Sequence, residues 1–314
     1  MTTVAVASRS FSRHPVLRQE LLARYPDARF NDSGESLAGD ALIAYLTGCE
    51  KAVIALEKMT DAVLEALPDL KVIAKYGVGF DMLDLESMRR RGIALGWQGG
   101  VNRRAVSELT VCMAIDLLRH VSASDREVRA GEWRMRVGRQ LSDCTVGIVG
   151  CGRVGKDLVK LLSGFGCRIL ANDIRDDSEF YEANGIRAAS LEDLLSNADI
   201  VTLHLPLDDS TRLILDADML ALMKPDAVLI NAARGGLIDE TALKAMLLDG
   251  RLAAAGLDVF ASEPPVDTAL LNLPNVLSTA HIGGSSEEGI LAMGRAAIAG
   301  LDDHRLPEPG GYPL

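Results

Sequence analysis

Three short stretches of this sequence carry side chains suited to chemistry on a small anionic molecule. In Asn231-Ala232-Ala233-Arg234-Gly235-Gly236 an arginine sits among small residues, and its planar fork can grip a carboxylate through two parallel hydrogen bonds. In Gly256-Leu257-Asp258-Val259-Phe260-Ala261-Ser262-Glu263-Pro264-Pro265, Glu263 precedes two prolines, which push the backbone before them into an extended form. In Thr279-Ala280-His281-Ile282-Gly283-Gly284-Ser285 a histidine follows an apolar run and precedes two glycines. An imidazole titrates near neutrality, so it suits the transfer of a proton. Each stretch alone also has a plain reading: a surface arginine in a glycine turn, an exposed loop glutamate, a structural histidine.

A fourth stretch gives these side chains something to work on. Thr145–Leu162, TVGIVGCGRVGKDLVKLL, reads as a buried strand, a glycine-rich turn and an amphipathic helix with Val154, Leu158, Leu161 and Leu162 inward. Gly150 suits the tight turn, Gly152 lets the backbone approach a pyrophosphate, and Gly155 lets the helix lie close to the sheet. The unpaired N–H groups and positive end of the helix then face phosphate. A second strand, Cys167 to Asn172, ends at Asp173, the spacing of an acid that binds ribose hydroxyls. The carboxylate repels a 2′-phosphate, so NAD is expected and NADP disfavoured; Arg175, two residues on, works against that repulsion.

These residues need a scaffold, and the hydrophobic pattern supplies one. Apolar runs at 4–7, 52–56, 72–75 and 93–97 are too short for buried helices and read as parallel strands, separated by helices at 15–25, 60–67 and 83–91. After a long apolar helix, Arg104–His120, alternation resumes: strands at 145–149, 167–172, 200–205, 227–232, 253–257 and 276–278, with helices at 191–196, 217–223 and 240–248. A last helix spans about 286–300, and the tail from His304 is expected to lie extended on the surface. The pattern is α/β, with one parallel layer over residues 1–99 and a doubly wound cofactor domain after it.

Composition sets outer limits. At 314 residues the chain accommodates two domains, and 48% hydrophobic residues can fill their cores. A net charge of −11 opposes a nucleic-acid or anionic-membrane surface as the main partner, and the 4% aromatic content leaves little for stacking bases. Five scattered cysteines without a C-x-x-C pattern indicate neither a metal site nor a disulfide framework, and fit reduced thiols in a cytoplasmic protein. Cys151, inside the phosphate loop, is a candidate for oxidation. The start MTTVAVASRS has no charged leader followed by a long apolar run, so neither a signal peptide nor a membrane span is expected.

The ordered motifs resemble the D-isomer-specific 2-hydroxyacid dehydrogenase family over essentially the whole chain. They are Tyr76-Gly77-Val78-Gly79-Phe80-Asp81, Gly100-Val101-Asn102 with Ala105, Val106 and Glu108, Gly150–Gly155, His204-Leu205-Pro206-Leu207, Met223-Lys224-Pro225, Asn231–Gly236, Gly256–Pro265 and His281–Gly284. The resemblance implies two doubly wound parallel-sheet domains, a flavodoxin-like substrate domain (1–99, completed by 283–314) and a Rossmann NAD domain (100–282), with an interdomain cleft. It implies that Arg234 binds the substrate carboxylate and keto oxygen, that His281 is the proton donor and acceptor, and that Glu263 pairs with it. It also implies substrate contacts at Lys75, Tyr76, Gly77, Val78 and Gly79, supported by Asn102. Arg153, Val154, His204, Leu205, Pro206, Ala232, Ala233, Arg234, Asp258, His281, Gly283 and Gly284 would join the glycines and Asp173 around NAD. Family members are commonly homodimers through the cofactor domain; from the residues alone, helix 104–120 serves equally as dimer interface or core.

Lys75–Asp81 and Trp97–Leu109 most resemble the phosphoglycerate-dehydrogenase-like branch, which implies a 3-phosphoglycerate-like or other anionic 2-hydroxy acid. Two departures weigh against that assignment and keep hydroxypyruvate/glyoxylate or D-lactate-type reduction as the alternative. Ile54 stands where many such enzymes carry an arginine for the substrate phosphate, and the sequence lacks the regulatory domain that some append. A rival of another kind is an NAD(H)-sensing, corepressor-like binding protein.

Overall fold

In the computed structural model, residues 3–308 are described, and they form two compact units. One comprises the described residues up to Asn102 together with those from Glu287 onward; the other is Arg103–Ser286.

The first unit is built on five strands: β1 (Val4–Val6), β2 (Arg29–Phe30), β3 (Lys51–Ile54), β4 (Val72–Lys75) and β5 (Ala94–Gly96). All pair in parallel in the order β2-β1-β3-β4-β5, the flavodoxin-like doubly wound arrangement. Their apolar runs are buried on both faces, as strands covered by crossover helices must be. Thr60 and Asp84 cap the helices Asp61–Glu65 and Leu85–Arg90 by accepting the N–H of Val63 and Ser87. The last helix, Glu287–Gly300, belongs to this unit, and a side chain at Gly96 would strike the carbonyl of Gly300. Beyond it the tail is pinned to β5: Leu95 and Arg305 exchange N–H···O bonds of 2.7 and 3.2 Å. The expected extended tail beyond Glu308 lies outside the described residues.

The second unit holds seven parallel strands: β6 (Thr145–Val149), β7 (Arg168–Asn172), β8 (Arg187–Ala188), β9 (Ile200–Leu203), β10 (Val228–Asn231), β11 (Ala254–Leu257) and β12 (Val276–Ser278). Their order is β12-β11-β10-β9-β6-β7-β8, with the strand order reversing beside β6. Such a reversal opens a crevice at the carboxyl ends of the strands, where α/β sheets bind ligands. Helix Arg103–Arg119 buries Val106, Thr110, Met113, Ala114 and Leu118, so on this face it is core.

Two sequence-based details differ. The helix after the glycine turn, Arg153–Ser163, buries Gly155, Asp157, Leu158, Val159 and Leu162, while Val154 and Leu161 are only half-buried. Asp157 is tolerated inside because Arg104 Nη2 sits 3.0 Å from its Oδ1. Eight elements were not expected: β2, β8, the single 3-10 turn Leu141–Asp143 and helices Arg9–Arg13, Gly39–Leu46, Val121–Arg129, Ser178–Ala183 and Thr268–Leu271. Two-residue strands are too short to show a period. Val121–Arg129 buries no residue at all, so it has no inward stripe to read.

Candidate active site

The phosphate cradle follows from two backbone approaches and an uncapped helix end. Gly150 has φ of +91°, and a Cβ there would lie 2.7 Å from the His204 carbonyl oxygen; a Cβ at Gly155 would lie 2.5 Å from the Gly150 carbonyl oxygen. Both positions thus require glycine. Gly152 caps helix Arg153–Ser163 without a side-chain hydrogen bond, and the first turn contains no acid. No side-chain cap or acid of the first turn therefore competes with an anion for the positive end of this helix. Arg153 is exposed at this turn, and Val154 lies beside it, half-buried. At the end of β7, the Asp173 side chain is only 9% exposed. Its Oδ1 accepts the Arg175 N–H at 2.9 Å and lies 3.5 Å from Arg175 Nε. These residues fit the pyrophosphate and ribose of a dinucleotide.

His281 and Glu263 meet along the same carboxyl edge, beyond β11 and β12. His281 Nδ1 lies 2.8 Å from Glu263 Oε2, and Glu263 Oε1 accepts the Phe260 N–H at 3.1 Å. His281 has φ of +53°, a left-handed conformation that costs a non-glycine residue about 1–3 kcal/mol. Asp258 holds it there. This carboxylate is 1% exposed. Its Oδ1 accepts Thr279 Oγ1–H at 2.6 Å and Ile282 N–H at 2.7 Å, its Oδ2 accepts Gly283 N–H at 2.7 Å, and its carbonyl accepts His281 N–H at 2.9 Å. A Cβ at Gly283 would stand 3.0 Å from that Oδ2, so the turn closes tightly on the carboxylate.

Arg234 leaves β10 in a loop folded by its neighbour Asn231, which is 1% exposed. Asn231 Nδ2 donates to the Arg234 carbonyl at 2.8 Å, and its Oδ1 accepts the Ala233 N–H at 3.1 Å. The half-buried guanidinium donates to the Ala233 carbonyl at 2.6 Å. Ala232 is buried beneath this loop. Gly150, Asp173, His204, Arg234, Asp258 and His281 therefore all follow the carboxyl ends of strands in one sheet.

In the first unit, Tyr76–Gly79 follows β4, with Gly77 at φ of +120°. Trp97 Nε1 donates to the Val78 carbonyl at 2.7 Å, and the buried Lys75 Nζ donates to the Tyr76 carbonyl at 3.0 Å. Lys75 thus supports the turn from below. Asn102 directly precedes helix Arg103–Arg119.

Comparison with known proteins agrees with this layout. Residues 111–283 match the family model described as "D-isomer specific 2-hydroxyacid dehydrogenase, NAD binding domain". The chain belongs to the D-isomer specific 2-hydroxyacid dehydrogenase family. It is 36% identical over 271 residues to a glyoxylate reductase of Thermococcus litoralis, covering 83% of this chain and 79% of that one. It is 40% identical over 240 residues to a D-3-phosphoglycerate dehydrogenase of Methanocaldococcus jannaschii, covering 76% of this chain but 46% of the relative. The chain thus spans about half the length of that relative. Among solved structures, a glyoxylate reductase from Paecilomyes thermophila superposes with a TM-score of 0.85 at 26% identity, over 95% of this chain and 93% of that one.

Within this NAD binding domain of the dehydrogenase family, four other residues acquire definite surroundings. Burial pulls the His204 imidazole down to about 4, and its Nε2 lies 3.1 Å from Thr202 Oγ1, so it is neutral at physiological pH and no proton donor. Leu205 packs on Gly150, while Pro206 is exposed and accepts Thr211 Oγ1–H at 2.8 Å. Cys151 is 2% exposed, and burial pushes its thiol up to about 11, which removes the thiolate that oxidation needs. Sequence reasoning did not anticipate the work of Asn231 and Thr279. A polar residue at the last position of an otherwise apolar strand was the available signal for Asn231.

Proposed function

We propose that this protein is an NAD-dependent oxidoreductase that moves a hydride between the nicotinamide and C2 of a D-2-hydroxy acid/2-keto acid pair. The observation that carries the reading is the His281–Glu263 pair on the same sheet edge as the glycine cradle. NAD, when bound, supplies or accepts the hydride. An ionised Glu263 can only accept a hydrogen bond, so Nδ1 of His281 carries the proton and Nε2 remains for the substrate. In reduction the imidazolium gives its proton to the keto oxygen; in oxidation the neutral ring takes the hydroxyl proton. Arg234 binds the substrate carboxylate, and the turn at Tyr76–Gly79 gives the first unit its role as substrate domain.

An anionic, 3-phosphoglycerate-like acid is one substrate reading. A second, hydroxypyruvate, glyoxylate or D-lactate chemistry, is favoured by the end of β3. Ile54 is completely buried there, and the carboxylate of Glu57 accepts the Ala55 N–H at 2.6 Å, where a phosphate would call for a cation. The test is NADH oxidation with 3-phosphohydroxypyruvate, hydroxypyruvate, glyoxylate and pyruvate. Turnover of one or more supports the reading, and their ranking selects the substrate. Tight NADH binding without any turnover makes the protein an NAD(H) sensor instead.

A cytoplasmic homodimer completes the proposal. No helix among the described residues is long and apolar enough to cross a membrane. Trp133, Met135 and Val137 are 92%, 90% and 85% exposed, and Val137 joins Leu117, Leu118 and Pro274 in lining a cavity of about 470 Å³ that Arg126 and Arg136 also face. An apolar segment and an apolar recess on one surface can satisfy each other across a two-fold axis. Sedimentation of the wild type and of Trp133→Glu tests this: a dimer that dissociates on substitution supports it, and a wild-type monomer overturns it.

A further inference from the structure

The turn that carries Glu263 is gripped from a second side. Ala261, Ser262, Glu263 and Pro264 are all exposed, so packing does little to fix them. What fixes them is concentrated at two successive peptides, Val259–Phe260 and Phe260–Ala261. The Phe260 N–H goes to Glu263 Oε1 at 3.1 Å, the Phe260 carbonyl lies where any side chain at Gly235 would strike it, and the Ala261 N–H goes to Glu240 Oε1 at 2.6 Å.

Glu240 opens helix Glu240–Leu248 but does not cap it. That task falls to Asp239, whose Oδ1 accepts the N–H groups of Thr241 and Ala242 at 3.0 Å each. The Glu240 carboxylate is thus left to reach across to the turn of Phe260–Glu263. The chain of bonds runs from Glu240 to the Ala261 N–H, along the backbone of Phe260 to that residue's own N–H, on to Glu263, and ends at His281.

We propose that Glu240 is a positioning residue for the hydride-transfer reaction, holding the Glu263 carboxylate against His281 through the Ala261 N–H. The inference rests on the function proposed above. It requires an acceptor oxygen at residue 240 and not its charge. Without that acceptor, the exposed turn relaxes and Glu263 spends less time on the imidazole, so the protonated ring that reduction needs is less favoured.

The experiment compares wild type, Glu240→Ala and Glu240→Gln by NADH oxidation over a range of pH. Glu240→Ala is expected to lower kcat about ten- to a hundredfold and to move the alkaline limb of the kcat profile to lower pH, with KM for NADH unchanged. Glu240→Gln, whose amide oxygen accepts the same N–H, is expected to stay within about twofold of wild type in both respects. A folded Glu240→Ala with the wild-type limb overturns the proposal, as does a Glu240→Gln as defective as the alanine variant. If Glu240→Ala does not melt as cooperatively as wild type, Glu240→Ser, too short to reach Ala261, takes its place. If the wild type turns over no 2-keto acid, the proposed function fails, and the positioning is read from the His281 ring by NMR. A titration midpoint lowered in Glu240→Ala and restored in Glu240→Gln upholds it, and an unmoved one overturns it.

Discussion

Nδ1 of His281 and Oε2 of Glu263 lie 2.8 Å apart, with 41% and 38% of their side-chain surfaces exposed. The pair is therefore joined without being sealed off, and a proton can enter and leave. Replacing His281 with alanine is expected to lower turnover by about 10²–10⁴-fold while leaving NADH affinity in place. Glu263→Gln keeps the hydrogen-bond reach but can present an NH2 group to Nδ1, so the proton is no longer fixed on that nitrogen. Turnover should fall in this variant too, with NADH affinity again in place.

Asp258 gives a different kind of dependence. Its two oxygens accept three hydrogen bonds from Thr279, Ile282 and Gly283 at 2.6–2.7 Å, in a site closed to water. Asparagine would turn an NH2 group toward an N–H donor. Asp258→Asn is expected to cost about 1–3 kcal/mol in denaturant unfolding and to lower kcat, because the left-handed turn at His281 loses its support. Wild-type stability in this variant would mean that the turn holds itself.

Asp173 and Arg175 lie 3.5 Å apart at the end of β7, and the proposed function gives them the choice of cofactor. Asp173→Ala removes the carboxylate that repels a 2′-phosphate and releases Arg175 from its partner. The ratio of NADH to NADPH use is expected to fall, and the double change Asp173→Ala with Arg175→Ala should recover part of it. An unchanged ratio in the single variant would place specificity elsewhere.

Much of this was legible from the chain alone, and the limits have physical causes. Long apolar strands and glycine turns are local signals, so β4 was placed at Val72–Lys75 as found and the cradle glycines were assigned their turns. The two-residue β2 and β8 leave no period, and helix Val121–Arg129 has no buried face to mark it. Asp258 was expected beside the nicotinamide. Its three bonds to residues more than twenty positions away are long-range geometry that no spacing rule encodes. Asp157 was invisible for the same reason, since a buried acid makes sense only once Arg104 is beside it.

Thiol chemistry should follow exposure and not position in the phosphate loop. Cys112 is exposed, whereas Cys151 is buried with its thiol pushed up to about 11. Brief alkylation with iodoacetamide at neutral pH, read by peptide mass spectrometry, is expected to label Cys112 and leave Cys151 unmodified until the protein unfolds. Early labelling of Cys151 would show that the loop opens.

His204 links the cofactor edge to acid stability. In the folded protein burial lowers its imidazole from 6.5 to about 4, so the ring stays neutral where an unfolded chain already binds a proton. Between those two values the unfolded state holds more protons, so falling pH favours unfolding. The contribution is intact above about pH 6.5 and is lost progressively as pH falls toward 4, by roughly 3 kcal/mol at most. Substituting His204→Gln removes the titrating group, so stability measured by urea unfolding should vary less over that window than in the wild type. An equal slope in wild type and His204→Gln would mean that the ring at the end of β9 is protonated as easily in the folded chain as in the unfolded one.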